Sequence, residues 1–131
     1  MEAAFADAVD ALPSQTLRPV EIALRRELWR LQNDAVRKAR KAGALPEEPE
    51  TLSLGNLERL HALLQTAEPT DAIELGELTR ALRRFGEAKA WFARAEPRWA
   101  PMAAFLGGLA DAGDHRVAQI PDAALPELQG L

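Results

Sequence analysis

The chain has 131 residues, 47% of them hydrophobic, which is the size of one domain with a modest core. It contains no cysteine, which excludes a disulfide framework, a thiolate metal site and a cysteine nucleophile. The formal net charge of −4 argues against nonspecific nucleic-acid binding by the whole surface, and no apolar run approaches the roughly 18 residues that a membrane span needs.

The first predicted elements are a short helix and a long one. Residues 1–17 form an acidic N-terminal segment with a helix over Glu2–Leu12, and its start lacks the basic residues of a secretory signal. Residues 18–43 form a long basic helix, because Pro19 suits a first helical turn and Gly43 can end the helix. The core stripe of this helix is predicted at three- and four-residue spacing: Val20, Leu24, Leu28, Leu31 and Ala35.

An acidic linker follows over residues 44–52, and its prolines disfavour a helix. Residues 53–113 form a helical hairpin region. Its first helix runs over Leu54–Thr66, capped by Ser53, and presents three leucines inward: Leu57, Leu60 and Leu64.

The hairpin itself lies in the middle of this region. Leu75, Leu78, Leu82 and Phe85 share one helical face, and Asp71 can cap their helix. Gly86 is predicted to end that helix in the left-handed conformation. A second periodic set then begins: Ala88, Trp91, Phe92 and Ala95.

This hairpin is predicted to be tightly packed. Small Gly76 and Ala88 would let the two helix backbones approach closely, and Phe85 and Phe92 would fill the space beside them. Beyond it, Pro101 starts a further helix that ends near Ala112 at Gly113, and residues 114–131 form an irregular tail. No window alternates with period two, so the sequence predicts an all-α bundle of five or six helices in a single domain over residues 1–131.

Residues 72–97 resemble one tetratricopeptide repeat. The matching positions are Leu75, Gly76, Phe85, Ala88, Phe92 and Ala95, whereas Thr79 replaces the usual aromatic, Arg83 replaces the usual turn glycine, and Pro97 comes about three residues early. The resemblance implies a helical unit that binds partners and performs no chemistry. An ordinary helical hairpin with the same packing needs is the alternative.

A second resemblance concerns the order of short motifs. Trp29, Asn33-Asp34, Asn56-Leu57, the hairpin and Gly113-Asp114 follow one another as in some small uncharacterised bacterial helical proteins. Some of those proteins carry a cysteine-rich segment in front. This chain has no cysteine, so no metal role of that segment is carried over.

The long helix has a second apolar line, made of Ile22, Trp29 and Val36 at seven-residue spacing. A helix that is apolar on two sides is either sandwiched within the fold or contacts a partner. We expect sandwiching, because one small domain has few other ways to shield this surface. Partner contact is the alternative, since tryptophan is favoured at binding hot spots.

The same helix also carries a basic side. Residues 18–41 hold eight basic and three acidic residues, whereas the rest of the chain holds eight basic and seventeen acidic ones. A phosphate or an acidic protein could meet this side, and the alternative is a solvated face paired with carboxylates from elsewhere in the chain. No aromatic ladder or nucleic-acid recognition motif accompanies its members, which are Arg26, Arg30, Arg37, Arg40 and Lys41.

Catalytic and metal sites are not indicated. His61 lies on a leucine face and reads as a histidine at the edge of the core, and His115 reads as an ordinary loop histidine beside Asp114. Glu74 and Glu77 lie one turn apart, but nothing signals the desolvated cleft that acid–base chemistry needs. We therefore predict no metal, no cofactor and no enzymatic activity.

The function predicted from these patterns is a cytoplasmic protein-protein interaction module. It would bind a protein or peptide partner through a groove between helices or through the Trp29 face. A small acidic immunity protein or antitoxin that inhibits a basic toxin is the alternative, since size, charge and lack of catalytic groups suit that role as well. Membrane and nucleic-acid partners are not expected.

Overall fold

The computed structural model describes residues 2–12, 17–43, 54–65, 71–118 and 120–124. Six α-helices, two short 3-10 helices and no strand make up this described part, so the all-α prediction is confirmed there. The chain divides into two compact units, residues 1–68 and 69–131. The single domain expected over residues 1–131 stays a prediction.

Each unit contains three of the α-helices. In the first unit they are α1 Glu2–Asp10, α2 Arg18–Lys41 and α3 Leu54–Leu64. In the second they are α4 Ala72–Ala81, α5 Phe85–Phe92 and α6 Ala100–Asp111, with 3-10 helices at Pro97–Trp99 and Asp122–Ala124. The predicted linker 44–52, the Ser53 cap and the tail beyond residue 124 lie outside the described residues.

In the first unit, α2 packs against both α1 and α3. Leu57, Leu60 and Leu64 of α3 are buried as predicted. The core stripe predicted on α2 is wrong at Val20, which is 48% exposed. The buried face of α2 contains polar as well as apolar residues. Glu21 and Arg25 can be buried there because they form hydrogen bonds with Arg59 and Asn56 of α3. The buried face consists of Glu21, Ile22, Arg25, Leu28, Gln32 and Val36.

In the second unit, α4 and α5 form the helical hairpin that the sequence predicts. The Asp71 cap is confirmed, since its Oδ1 accepts a hydrogen bond of 3.1 Å from the Glu74 backbone N–H. Whether this hairpin is a tetratricopeptide unit stays a prediction, because unrelated helical proteins also contain hairpins with these packing needs.

The predicted turn of the hairpin is wrong by several residues. Helix α4 ends at Ala81, and Gly86 lies within the first turn of α5. The left-handed residue is Arg83, with φ +63°. Here the Arg84 N–H donates to the Thr79 carbonyl at 2.8 Å, which closes the last turn of α4 in the manner of a Schellman cap.

The core of the second unit joins the hairpin to α6. Its buried members are Ala88, Phe92, Met102, Ala103, Leu106, Ala110 and Ala118, with Phe85, Ala95 and Trp99 among the partly buried residues packed against them. Leu75 of α4 is also buried. The contact found at Gly76 is with the ring of Phe92, which was predicted to fill the space beside Gly76 and Ala88. A close approach of the two backbones at Gly76 and Ala88 stays a prediction. A Cβ atom built on Gly76 would lie 2.8 Å from Phe92 Cζ and would collide with nearer atoms of that ring.

Replacement of Gly76 by alanine is therefore expected to lower the free energy of unfolding by about 1–3 kcal/mol through overpacking. This loss would outweigh the gain of up to about 1 kcal/mol from the better helix propensity of alanine. Urea denaturation followed by far-ultraviolet circular dichroism measures the difference.

Gly108→Ala is the matched control, since a Cβ at this helical glycine meets no atom within 4 Å. It is expected to raise stability by about 0.5–1 kcal/mol. Equal effects of the two alanine substitutions would contradict the contact between Gly76 and Phe92.

Candidate interaction surface

The second apolar line of α2 is mostly withdrawn from solvent. Ile22 and Val36 are only 8% and 0% exposed, and Trp29 is half-buried. The burial of the two aliphatic side chains agrees with the expected sandwiching, and partner contact through the Trp29 face stays a prediction.

Two arginines of the basic side of α2, Arg30 and Arg37, pair with carboxylates of the same helix. Arg30 donates to Glu27 at 3.0 Å and to Asp34 at 2.9 Å, and Arg37 lies 3.5 Å from Asp34. The hydrogen bond from Arg30 lowers the pKa of Glu27 below its usual value. These ion pairs are exposed, so they stabilise the fold little, but they reduce the positive potential offered to an acidic partner. Arg26 is exposed on the same helix.

A buried polar network that the sequence did not signal connects α2 to α3. Glu21 accepts hydrogen bonds from Arg25 at 2.8 Å and from Arg59 at 2.9 Å. Arg25 also donates to Asn56 Oδ1 at 3.1 Å, and Asn56 Nδ2 donates to the Arg25 carbonyl at 3.1 Å. The i,i+4 spacing of Glu21 and Arg25 was its only visible sign. None of the buried side-chain nitrogen or oxygen atoms among the described residues lacks a hydrogen-bond partner, so this network joins α2 to α3 without an unsatisfied polar atom.

The two histidines lie in different units. His61 is buried on α3, and its ring contacts the Gln65 amide at 2.9 Å. His115 is half-buried after α6, where its Nε2 lies 3.3 Å from an Arg83 guanidinium nitrogen. Glu77 is held by two nitrogens of Arg80, at 2.6 and 2.9 Å. Among the described residues, no three His, Asp or Glu side chains come together in a way that could hold a metal ion.

The second unit contains a surface that the sequence analysis did not identify. A groove of about 460 Å³ runs between α5 and α6, and we call it the α5–α6 groove. Most of its lining consists of small side chains, and the buried Phe92 also lines it. Lys89 and Asp111, which line the groove as well, form an ion pair with each other. The small lining residues are Ala93, Ala95, Ala100, Ala103, Ala104, Gly107 and Gly108.

A second concavity adjoins this groove. The Trp99 pocket, of about 330 Å³, is lined by Asp71, Ala72, Ile73, Arg94, Ala95, Glu96 and Trp99. Ala95 lines both concavities, so the groove and the pocket are adjacent at this residue. Ala95 was predicted only as a structural residue of the hairpin.

Two tryptophan–arginine pairs each contribute one residue, Arg94 or Trp99, to the lining of the Trp99 pocket. The Arg94 guanidinium lies 4.6 Å from the centre of the Trp91 ring, and that of Arg98 lies 5.1 Å from the Trp99 ring. Both distances allow a cation–π interaction. Both tryptophans are half-buried, so each ring is held by the fold and still reaches the surface.

No protein-family model, curated protein or solved structure matches this chain. Within the part of the chain that the structure describes, none of the helices combines the length and the apolar character needed to cross a membrane.

Proposed function

We propose that the protein is a non-catalytic interaction module that binds a protein or peptide partner in the cytoplasm. The partner would occupy the α5–α6 groove and insert a side chain into the Trp99 pocket. The observation that carries this proposal is that a groove lined by small residues lies next to a pocket lined by Trp99 and Arg94, with Ala95 lining both.

The groove supplies room for a backbone. Alanine and glycine side chains leave the space between α5 and α6 open, so an extended or helical segment could approach the helices closely. A Cβ atom at Gly107 or Gly108 would meet nothing within 4 Å, so these glycines are not needed for packing within the unit. Because Gly107 and Gly108 have no side chain, they leave the groove open.

The pocket supplies an anchor. Tryptophan, tyrosine and arginine are the residues most enriched among binding hot spots, and tryptophan buries a large, rigid area at low cost in side-chain entropy. Ile73 and Trp99 offer apolar surface, and exposed Asp71 and Glu96 stand at the rim. An apolar centre with a polar edge is the usual anatomy of a protein interface.

Ala104→Arg tests the proposal by filling the groove. Ala104 is an exposed α6 residue that lines the groove, so the substitution is expected to abolish partner capture and leave thermal stability unchanged. Tagged protein is expressed in its native host, and the captured proteins are quantified by mass spectrometry against wild type.

Ala90→Arg is the matched control, because Ala90 is an exposed α5 alanine outside the groove lining. It is expected to retain the same partner. A partner kept equally by both arginine variants would exclude the groove as the binding site. Loss from both would show that added charge, rather than the groove, controls binding.

A further inference from the structure

Arg83 occupies a backbone position that suits glycine. Its φ of +63° lies in the left-handed region, where an L side chain is strained. The residue is exposed, so apolar burial does not explain its presence. Strained backbone positions of this kind cluster at functional sites, where the surrounding contacts hold them in place.

That guanidinium contacts a neutral histidine. One terminal nitrogen of Arg83 lies 3.3 Å from His115 Nε2. Arginine has only donors, so Nε2 accepts this hydrogen bond and the ring is uncharged in the observed arrangement. Among the described residues, Arg83 forms no ion pair with a carboxylate.

The other charged groups around His115 are already paired. On α4, Arg80 is bound to Glu77, and on the segment after α6, Arg116 donates to Asp114 at 3.1 Å. Burial and the charges of Arg83, Arg80 and Arg116 lower the pKa of His115, and Asp114 opposes them. One exposed guanidinium thus stands beside an imidazole whose pKa is lowered by burial and by the neighbouring guanidinium charges.

We propose that Arg83 and His115 form a proton-linked binding site for a single oxyanion group, a phosphate or a carboxylate. The anion takes the place of Nε2 as the acceptor for Arg83. His115 then takes up one proton from solvent and donates a second charge-assisted hydrogen bond to the anion. The site shares no residue with the α5–α6 groove or the Trp99 pocket, so it goes beyond the proposed function.

The chain allows a direct test, because it contains only two histidines. The pH titration of both ring protons is followed by nuclear magnetic resonance in sodium chloride, and again at equal ionic strength in sodium sulfate, whose charge is constant above pH 5. Sulfate is expected to raise the pKa of His115 by about one unit, which corresponds to roughly tenfold tighter binding to the protonated form. The His61 ring signal is the internal control, and its titration curve is expected to be the same in both salts.

Two variants identify the residues responsible. Arg83→Gly is expected to abolish the sulfate effect while melting no lower than wild type, since glycine relieves the strained turn; loss of binding then cannot be ascribed to unfolding. His115→Gln should leave weak sulfate binding without pH dependence.

A parallel titration with acetate separates the two sources of the anion. An effect of sulfate alone indicates phosphate as the natural group, and an effect of both anions admits a carboxylate.

Three results would overturn the site. These are a shift at His115 no larger than at His61, a sulfate effect that persists in Arg83→Gly, or pH-dependent binding that persists in His115→Gln. The α5–α6 groove is unaffected by these outcomes, because its test rests on Ala104 and not on this pair.

Discussion

Replacement of Arg80 by alanine is expected to lower the free energy of unfolding by about 3–5 kcal/mol, the usual cost of removing one partner of a buried ion pair. The side chain of Arg80 is only 2% exposed. Its Nε donates to Glu77 at 2.6 Å, and another of its nitrogens donates to the Asp114 carbonyl at 2.6 Å. Alanine would leave a cavity, an unpaired carboxylate and an unsatisfied carbonyl between α4 and the segment after α6.

Arg98→Ala is the control for this prediction, because Arg98 is an exposed arginine of the same unit. It is expected to change stability by less than about 1 kcal/mol. Urea denaturation of both variants at pH 7 measures the difference. Arg80→Ala within about 1 kcal/mol of wild type would show that water replaces the guanidinium and that the ion pair is dispensable.

The pair can also be separated from the packing. Glu77→Gln combined with Arg80→Met removes both charges and keeps most of the volume. This double variant is expected to be more stable than the sum of the single substitutions implies, because neither charge is left buried alone. Strict additivity would indicate that Arg80 acts by packing only.

The second large effect is expected at acid pH, where the first unit should lose about 3 kcal/mol as Glu21 becomes protonated. The side chain of Glu21 is 9% exposed. Hydrogen bonds from Arg59, and then from Arg25, lower its pKa from 4.5 to about 2 against the opposing effect of burial. A carboxyl with a lowered pKa in the folded state stabilises fully above its unfolded pKa. That stabilisation is lost progressively as the pH falls from about 4.5 toward 2.

Glu21→Gln isolates this contribution, because Asp114, whose pKa Arg116 also lowers to about 2, titrates in the same range. The variant is expected to be clearly less stable than wild type at pH 7, and the difference should shrink as the pH is lowered from 5 to 2. Glu27→Gln, at an exposed ion pair of the same helix, should change stability little at any pH. A constant difference between Glu21→Gln and wild type across this range would contradict the assignment.

Features that depend on neighbouring residues were predictable. The all-α class followed from apolar residues at three- and four-residue spacing. Asp71 was identified as a cap, and Gly43 and Gly113 take the left-handed conformation at helix ends. Each of these depends on contacts within one helical turn, where sequence spacing translates directly into distance.

The hairpin turn shows where local rules mislead. Gly86 has the residue type of a helix end, yet α5 has already begun there and Arg83 takes the left-handed position. The register that brings Phe92 over Gly76 places Phe85 at the start of α5, against the core. Packing of the two helices therefore outweighs the conformational preference of one residue, which is on the order of 1–2 kcal/mol.

The candidate surface could not be predicted from the sequence, because the exposure of a side chain depends on which other elements pack against it. The apolar and basic lines of α2 were visible as patterns, but their exposure depends on what α1, α3 and the helix's own carboxylates cover. The α5–α6 groove arises from small residues on separate segments, and no sequence pattern shows that these segments leave a space between them.

The amino-acid sequence by itself determined that the described part of this protein is helical, where most of its helices begin and end, and that Leu57, Leu60 and Leu64 of α3 face inward, since each follows from interactions a few residues apart. Only the tertiary structure decided which face of α2 is buried, where Glu21 and Arg80 find their partners, and which helices enclose a groove. Glu21 meets Arg59 across 38 positions, and Arg80 meets Asp114 across 34. Whether a charged side chain is a solvated surface group or a buried clamp depends on such distant partners, and no local pattern encodes them.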